Sequence, residues 1–189
     1  MHLKMYVTIS EEDKIALFDV DPDSGRLEST GVAPVTGRPA PLAINPDRSR
    51  LYVGRRDIKE ISTFEIDQNS GDLSMVGTVP LESDPCYIST DKTGKYLLSA
   101  YYLAGRAAVH NINDSGTAVA PPVEWLATGM GAHCMQTDPS NRFAFVPHIA
   151  GGNGPNLIFQ FRFDDASGHI TPNNPPTVAQ EPEAGPRHY

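Results

Sequence analysis

Chemistry in this chain gathers around the run from Ala132 to Val146, Ala-His-Cys-Met-Gln-Thr-Asp-Pro-Ser-Asn-Arg-Phe-Ala-Phe-Val. It reads as a strand, a tight turn and a second strand. The same design occurs at 40–53 and 86–98, and its start recurs at Arg187. Aligned on their turn residues Asn45, Asp91 and Asp138, the copies place Ala40, Cys86 and His133 at the same position, five residues before the turn. Two small or neutral residues are thus followed by an ionisable one. Where a repeat breaks its own consistency with a polar side chain, function is the first explanation to test. An imidazole, with an ordinary pKa of about 6.5, suits proton transfer at neutral pH. The guanidinium of Arg187 suits bidentate holding of a phosphate or carboxylate, or stabilisation of an oxyanion.

The elements that must position these groups are short strands. Lys4 to Ile9, Ile15 to Val20, Leu51 to Val53 and Glu60 to Ile66 carry β-branched and aromatic residues, with the alternation of a half-buried strand in the last. Turn glycines follow at Gly25, Gly71, Gly116 and Gly168, and their spacing, like that of Asn45, Asp91 and Asp138, is about 45 to 52 residues. That period, with four strand-like segments per unit and no helical periodicity, predicts an all-β chain of β-propeller blades, each of four antiparallel strands. The blades fall at about 4–37, 38–83, 84–131, 132–185 and 186–189, forming one domain. The first lacks its innermost strand and the last is only a beginning, so three are complete and two partial. The expectation is the N-terminal part of a larger ring, with open edge strands that favour self-association.

Composition narrows the function classes. The 189 residues include 16 glycines and 17 prolines and carry a formal net charge of −8. That charge disfavours non-specific binding to nucleic acid or anionic membranes, while leaving room for a local basic pocket. Cys86 and Cys134 lie in no metal-ligand spacing and read as free thiols, and no cluster suggests a metal or other cofactor. No apolar window approaches a membrane span and Met1-His2-Leu3-Lys4 has no signal core, so a cytoplasmic location is expected.

Gly-Ala-His-Cys-Met-Gln-Thr-Asp-Pro (131–139), Asn-Arg-Phe-Ala-Phe-Val-Pro (141–147), Asp-Ala-Ser-Gly-His-Ile-Thr (165–171) and Gly-Pro-Arg-His (185–188), in that order, resemble the bacterial 6-phosphogluconolactonase family of seven-bladed propellers. The fungal carboxymuconate-lactonising cyclases are related to it. The resemblance covers essentially the whole chain, and its most specific element is Gly-Pro-Arg-His. It implies that Arg187 occupies, in the next blade, the place His133 holds in its own. It further implies a hydrolase of a small anionic sugar lactone, with His133 and Arg187 as catalytic residues whose roles stay open. In the family about half the protein follows Gly-Pro-Arg-His, including an acid in an Asn-Glu element and a further arginine with no counterpart here. The 189 residues alone are therefore expected to be inactive or nearly so. A carboxymuconate cyclase or a non-catalytic binding platform are the alternatives.

His148, at the end of the second strand of its unit, and Arg55 are candidate substrate-binding residues; for the pair Arg55-Arg56 a solvated loop is the competing reading. Strand alternation turns His188 away from Arg187. His110 and His169 read as surface residues, and Trp125 as blade packing. Gly151-Gly152-Asn153-Gly154 lacks the Lys-Ser/Thr and the helix of a phosphate loop.

Overall fold

The structure, a computed structural model, describes residues 3–149, 154–182 and 184–189. Among the described residues, fifteen strands form four antiparallel sheets. The first sheet holds β1 (Leu3–Ile9), β2 (Lys14–Val20) and β3 (Leu27–Pro34). The second holds β4 (Pro39–Ile44), β5 (Arg50–Arg55), β6 (Glu60–Ile66) and β7 (Leu73–Pro80). The third holds β8 (Tyr87–Thr90), β9 (Tyr96–Tyr101), β10 (Arg106–Asn111) and β11 (Glu124–Ala127). The fourth holds β12 (Gln136–Thr137), β13 (Phe143–Pro147), β14 (Leu157–Phe163) and β15 (Ile170–Ala179). Each sheet is ordered along the chain, the up-and-down meander of a propeller blade.

Register shows which strand the first sheet lacks. The hairpin β1–β2 closes on Ile9 and Lys14, as β5–β6 closes on Arg55 and Glu60. A bulge falls between Leu17 and Phe18 in one sheet and between Thr63 and Phe64 in the other. The first sheet therefore corresponds to the outer three strands of the second. Residues 186–189, read from sequence as the start of a strand, form none. They lie instead across the fourth sheet. There the Gln136 N–H donates to the Tyr189 hydroxyl at 3.1 Å, and the Gln136 side-chain amide donates to the Tyr189 carbonyl at 3.2 Å.

Three turns share one device. The side-chain oxygens of Asn45, Asp91 and Asp138 each accept the backbone N–H five residues on, at Arg50, Tyr96 and Phe143. Asp91 is buried and also accepts from the Thr93 N–H, the Thr93 hydroxyl and the side-chain amide of Asn141 in the next blade, the last at 2.9 Å. Asn141 in turn accepts the Lys92 N–H. The other repeated joint uses the turn glycines, all at positive φ. The Tyr6 hydroxyl donates to the Gly71 carbonyl and the Tyr52 hydroxyl to that of Gly116, both at 2.8 Å, so the first blade is pinned to the second and the second to the third. A Cβ at Gly168 would come within 2.4 Å of Tyr96, leaving no room for a side chain at this joint.

Core residues fill the spaces between blades: Ile15, Leu17, Leu51, Val53 and Phe64 between the first two, and Leu98, Val109, Met135, Val146 and Phe161 between the last two. A strand with a blade on either side is buried on both faces. This corrects the surface reading of His110, which is 2% exposed in β10. Burial lowers its pKa to about 4, and its Nδ1 has no hydrogen-bond partner among the described residues. His169, by contrast, is exposed and bonds Glu124 at 2.6 Å. Trp125 packs edge-on against Tyr101, with centroids 4.7 Å apart.

Asp91→Ala removes a buried acceptor and leaves the Asn141 amide unsatisfied; chemical denaturation should show a loss of about 3 kcal/mol. His110 binds a proton more readily when unfolded than when folded. Its contribution to stability is therefore present above about pH 6.5 and lost as the pH falls towards about 4. Denaturation curves from pH 7 to 4 should flatten in His110→Leu.

Candidate functional site

In an up-and-down blade the inner strand starts at the end of the sheet where the second strand finishes. The start of the inner strand, the hairpin between strands two and three and the link to the next blade therefore share one end of the propeller. The Asx turns and turn glycines occupy the other. Arg55, Arg56, Asp84, Cys86, Tyr102, His133 and His148 all fall at the first end.

His133 lies just before β12, and its N–H donates to the Pro147 carbonyl at 3.1 Å. Its ring stands edge-on to His188, with centroids 5.0 Å apart, and to Tyr102 at 6.1 Å. Its Nδ1 is shielded from solvent and has no hydrogen-bond partner among the described residues. Burial lowers its pKa, and the charges of Arg187, His188 and Arg56 lower it further. At neutral pH the ring is accordingly neutral and able to accept a proton. Arg187 itself is exposed.

The structure sets His188 against His133, its ring also 5.8 Å from that of Tyr87, and the charge of the adjacent Arg187 reaches the same imidazole. The alternation that would turn His188 away does not apply, because 186–189 is not a strand. His148 adjoins His133 through the backbone, where Ala132 bridges to it. Its ring, however, is fully buried, with Nδ1 2.9 Å from the Val146 carbonyl and Phe159 against one side. Burial lowers its pKa too, and its Nε2 is shielded without a partner among the described residues.

Arg55 and Arg56 part company. Arg55 is buried; its Nε donates to the Thr36 carbonyl, Nη1 to Glu60 and Ser62, and Nη2 to the Thr36 hydroxyl. Four of its five N–H donors are so engaged, and it clamps the first two blades together. Arg56, one residue later in the turn, points to the His133 end. Its Nη2 donates to Asp84 at 2.8 Å, and its Nε is shielded without a partner among the described residues. The sequence carried one clue to this division: Glu60 sits across the hairpin from Arg55 and can neutralise it. No comparable signal pointed to Tyr102.

The remaining groups limit the chemistry. Cys86 donates its thiol hydrogen to the Ala132 carbonyl at 3.2 Å, and burial pushes its pKa up to about 11, so it is no thiolate nucleophile. Cys86 and Cys134 are free thiols. Among the described residues no His, Cys, Asp and Glu cluster could hold a metal ion, and no helix is long and apolar enough to cross a membrane. Of the glycine run, 151–153 lies outside the described residues.

The family described as "Lactonase, 7-bladed beta-propeller" matches residues 4–189. Among curated proteins, a 6-phosphogluconolactonase of Serratia proteamaculans is 34% identical over 184 residues, 97% of this chain and 53% of the relative. One from Cronobacter sakazakii is 34% identical over 190 residues, 100% of this chain and 54% of the relative. The chain therefore spans about half the length of the curated relatives it matches. Among solved structures, the periplasmic gluconolactonase PpgL of Pseudomonas aeruginosa superposes with a TM-score of 0.83 at 23% identity, over 99% of this chain and 57% of that one. A Lactobacillus plantarum protein gives 0.79 at 19% identity, over 92% and 51%. At these identities the structural likeness establishes the fold alone.

Histidine resonances followed by NMR should show His133 titrating below 6.5. Arg187→Ala should move its midpoint upward, since one repelling charge is gone.

Proposed function

The chain belongs to the lactonase family of seven-bladed β-propellers, and from that premise we propose a lactone hydrolase that opens 6-phosphogluconolactone to 6-phosphogluconate in the pentose phosphate route of glucose metabolism. The observation that carries the reading is the placement of His133. It is a partly exposed imidazole 5.0 Å from the ring of His188, its pKa lowered by burial and by the charges of Arg187, His188 and Arg56, at one end of the propeller.

Hydrolysis needs a water made nucleophilic and a developing oxyanion held. His133 takes a proton from water as the water oxygen bonds to the lactone carbonyl carbon. Arg187 stabilises the resulting oxyanion. Collapse of the tetrahedral intermediate breaks the bond from that carbon to the ring oxygen, and the ring oxygen takes the proton from the imidazolium. The product is an open-chain acid, and His133 returns to its neutral state. A depressed pKa keeps His133 in the accepting form, and the nearby positive charges favour a substrate that carries phosphate. The unpaired thiols of Cys86 and Cys134 fit a reducing cytoplasmic setting, where sugar phosphates occur.

Titration of the chain with 6-phosphogluconate should move the ring resonances of His133 and His188 along a saturable curve. With little or no turnover expected of the 189 residues alone, any acceleration of proton release from 6-phosphogluconolactone should depend on His133: His133→Gln should remove about a hundredfold of it, the scale of a positioned base. Unmoved His133 resonances, or acceleration that survives His133→Gln, would contradict the proposal. A response to a carboxymuconolactone in place of the sugar lactone would point to the lactonising cyclases.

A further inference from the structure

The strand β1 pairs with β2 along one edge, and among the described residues no strand covers the other. Register shows which of its groups look out there. Ile9 and Lys14 close one hairpin as Arg55 and Glu60 close the other, so β1 stands to its sheet as β5 does to the second. Counting back along both strands, Lys4 takes the place of Arg50 and Tyr6 that of Tyr52. The hydroxyls of Tyr6 and Tyr52, each on a turn glycine of the next blade, agree with that count. In β5 the Arg50 N–H turns inward to the Asn45 side chain. Because N–H groups alternate along a strand, those of Lys4, Tyr6 and Thr8 face the open edge. Such a row is a template for one further strand.

At the Asx-turn end of the propeller lies a cavity of about 690 Å³ whose lining includes Leu3, Lys4, Tyr6, Ile44 and Arg48. Leu3 is 48% exposed and Ile44 44%, apolar side chains left without cover. Arg48 holds the fourth place of its turn, as Gly94 and Asn141 do in the next two, and all three have positive φ. Gly94 and Asn141 both meet the turn of the blade before. A Cβ on Gly94 would come within 3.0 Å of Pro46, and Asn141 donates to Asp91 and accepts the Lys92 N–H. For Arg48 the preceding turn would belong to the first sheet, in front of β1. Its backbone is fixed: its N–H donates to the Asn45 carbonyl and its carbonyl accepts the Gln68 side-chain amide, both at 3.0 Å. Its guanidinium is exposed and makes no hydrogen bond or ion pair among the described residues. A cation with five donors thus borders the place that a preceding turn fills at the other two joints.

We infer that the open edge of β1 docks one antiparallel strand that ends in an acidic turn residue, and that Arg48 recognises the acid. The strand accepts from the N–H groups of Tyr6 and Thr8. The acid accepts the Lys4 N–H, as Asn45 accepts that of Arg50, and the Arg48 guanidinium, as Asp91 accepts the amide of Asn141. A carboxylate is the matching group because the donor facing it is a cation in place of an amide. A strand with a neutral turn residue would fit the edge and leave the guanidinium unpaired, so Arg48 makes the joint selective. The occupant is a strand of the repeat's own kind: the family has seven blades, and the chain spans about half the length of its curated relatives, which leaves further blades to supply one. This surface lies at the end opposite His133 and does not rest on the hydrolase reading.

A fluorescein-labelled peptide of residues 84–94, Asp-Pro-Cys-Tyr-Ile-Ser-Thr-Asp-Lys-Thr-Gly carrying Cys86→Ser, is such a strand with its acidic turn. Added to the 189-residue chain, it should give a saturable rise in anisotropy and slow the amide exchange of Tyr6 and Thr8. Asp91→Asn in the peptide keeps an acceptor for Lys4 but removes the charge, and should weaken binding about tenfold, the scale of one charge-assisted hydrogen bond. Arg48→Gln in the chain should weaken the acidic peptide by a similar factor and the Asp91→Asn peptide by less than about twofold, so that the two changes couple. Retained binding of the Asp91→Asn peptide also shows that the Arg48→Gln chain is folded. Arg48→Lys, which keeps the cation, should retain most of the preference for the acid. An absence of saturable binding would overturn the assignment. So would protection that misses Tyr6 and Thr8, a chain indifferent to the acid of the peptide, or a preference for the acid that survives Arg48→Gln.

Discussion

The structure depends on the joint between neighbouring blades. No sheet here is thick enough to bury itself; the second and third each have a blade packed on either face, the first and fourth on one. Tyr6 on Gly71, Tyr52 on Gly116 and Asp91 on Asn141 hold that stacking in register. The turn glycines serve twice. Positive φ closes the turn between the outer two strands, and the missing side chain lets the next blade approach, as at Gly168 and Tyr96. The burial of Tyr52, Leu97, Leu98 and His110 follows from the same stacking.

The meander inside each blade then divides labour between the two ends of the propeller. One end is occupied by turns whose side chains satisfy their own backbone. The other gathers the starts of the inner strands, the second hairpins and the links between blades. There His133 and His188 meet, within reach of the charges of Arg187 and Arg56, although the four are scattered from 56 to 188 in the chain. A net charge of −8 over the whole chain coexists with this local excess of positive charge. The overall balance discourages polyanion binding, while the local one suits a small anion.

Much of this was legible in the sequence because the repeat is. Asn45, Asp91 and Asp138 mark turns whose hydrogen bonds are local, so residue type and spacing carry nearly all the information. His133 stood out by comparison with Ala40 and Cys86. What could not be read is what depends on the neighbouring blade. His110 is a polar residue that reads as surface, yet the stacking of blades leaves it 2% exposed. Arg55 and Arg56 are adjacent and chemically identical; Thr36, from the preceding blade, accepts from the first, and the second is left to Asp84. His188 lies at His133 because Pro186 to Tyr189 crosses the fourth sheet instead of extending as a strand.

The central claim is that catalytic and binding groups share the end of the propeller where the inner strands begin. A crystal structure of the chain with bound 6-phosphogluconate tests it most directly. The account predicts the carboxylate between His133 and Arg187. A ligand seated among the Asx turns at the opposite end, or one that leaves His133 untouched, would contradict it.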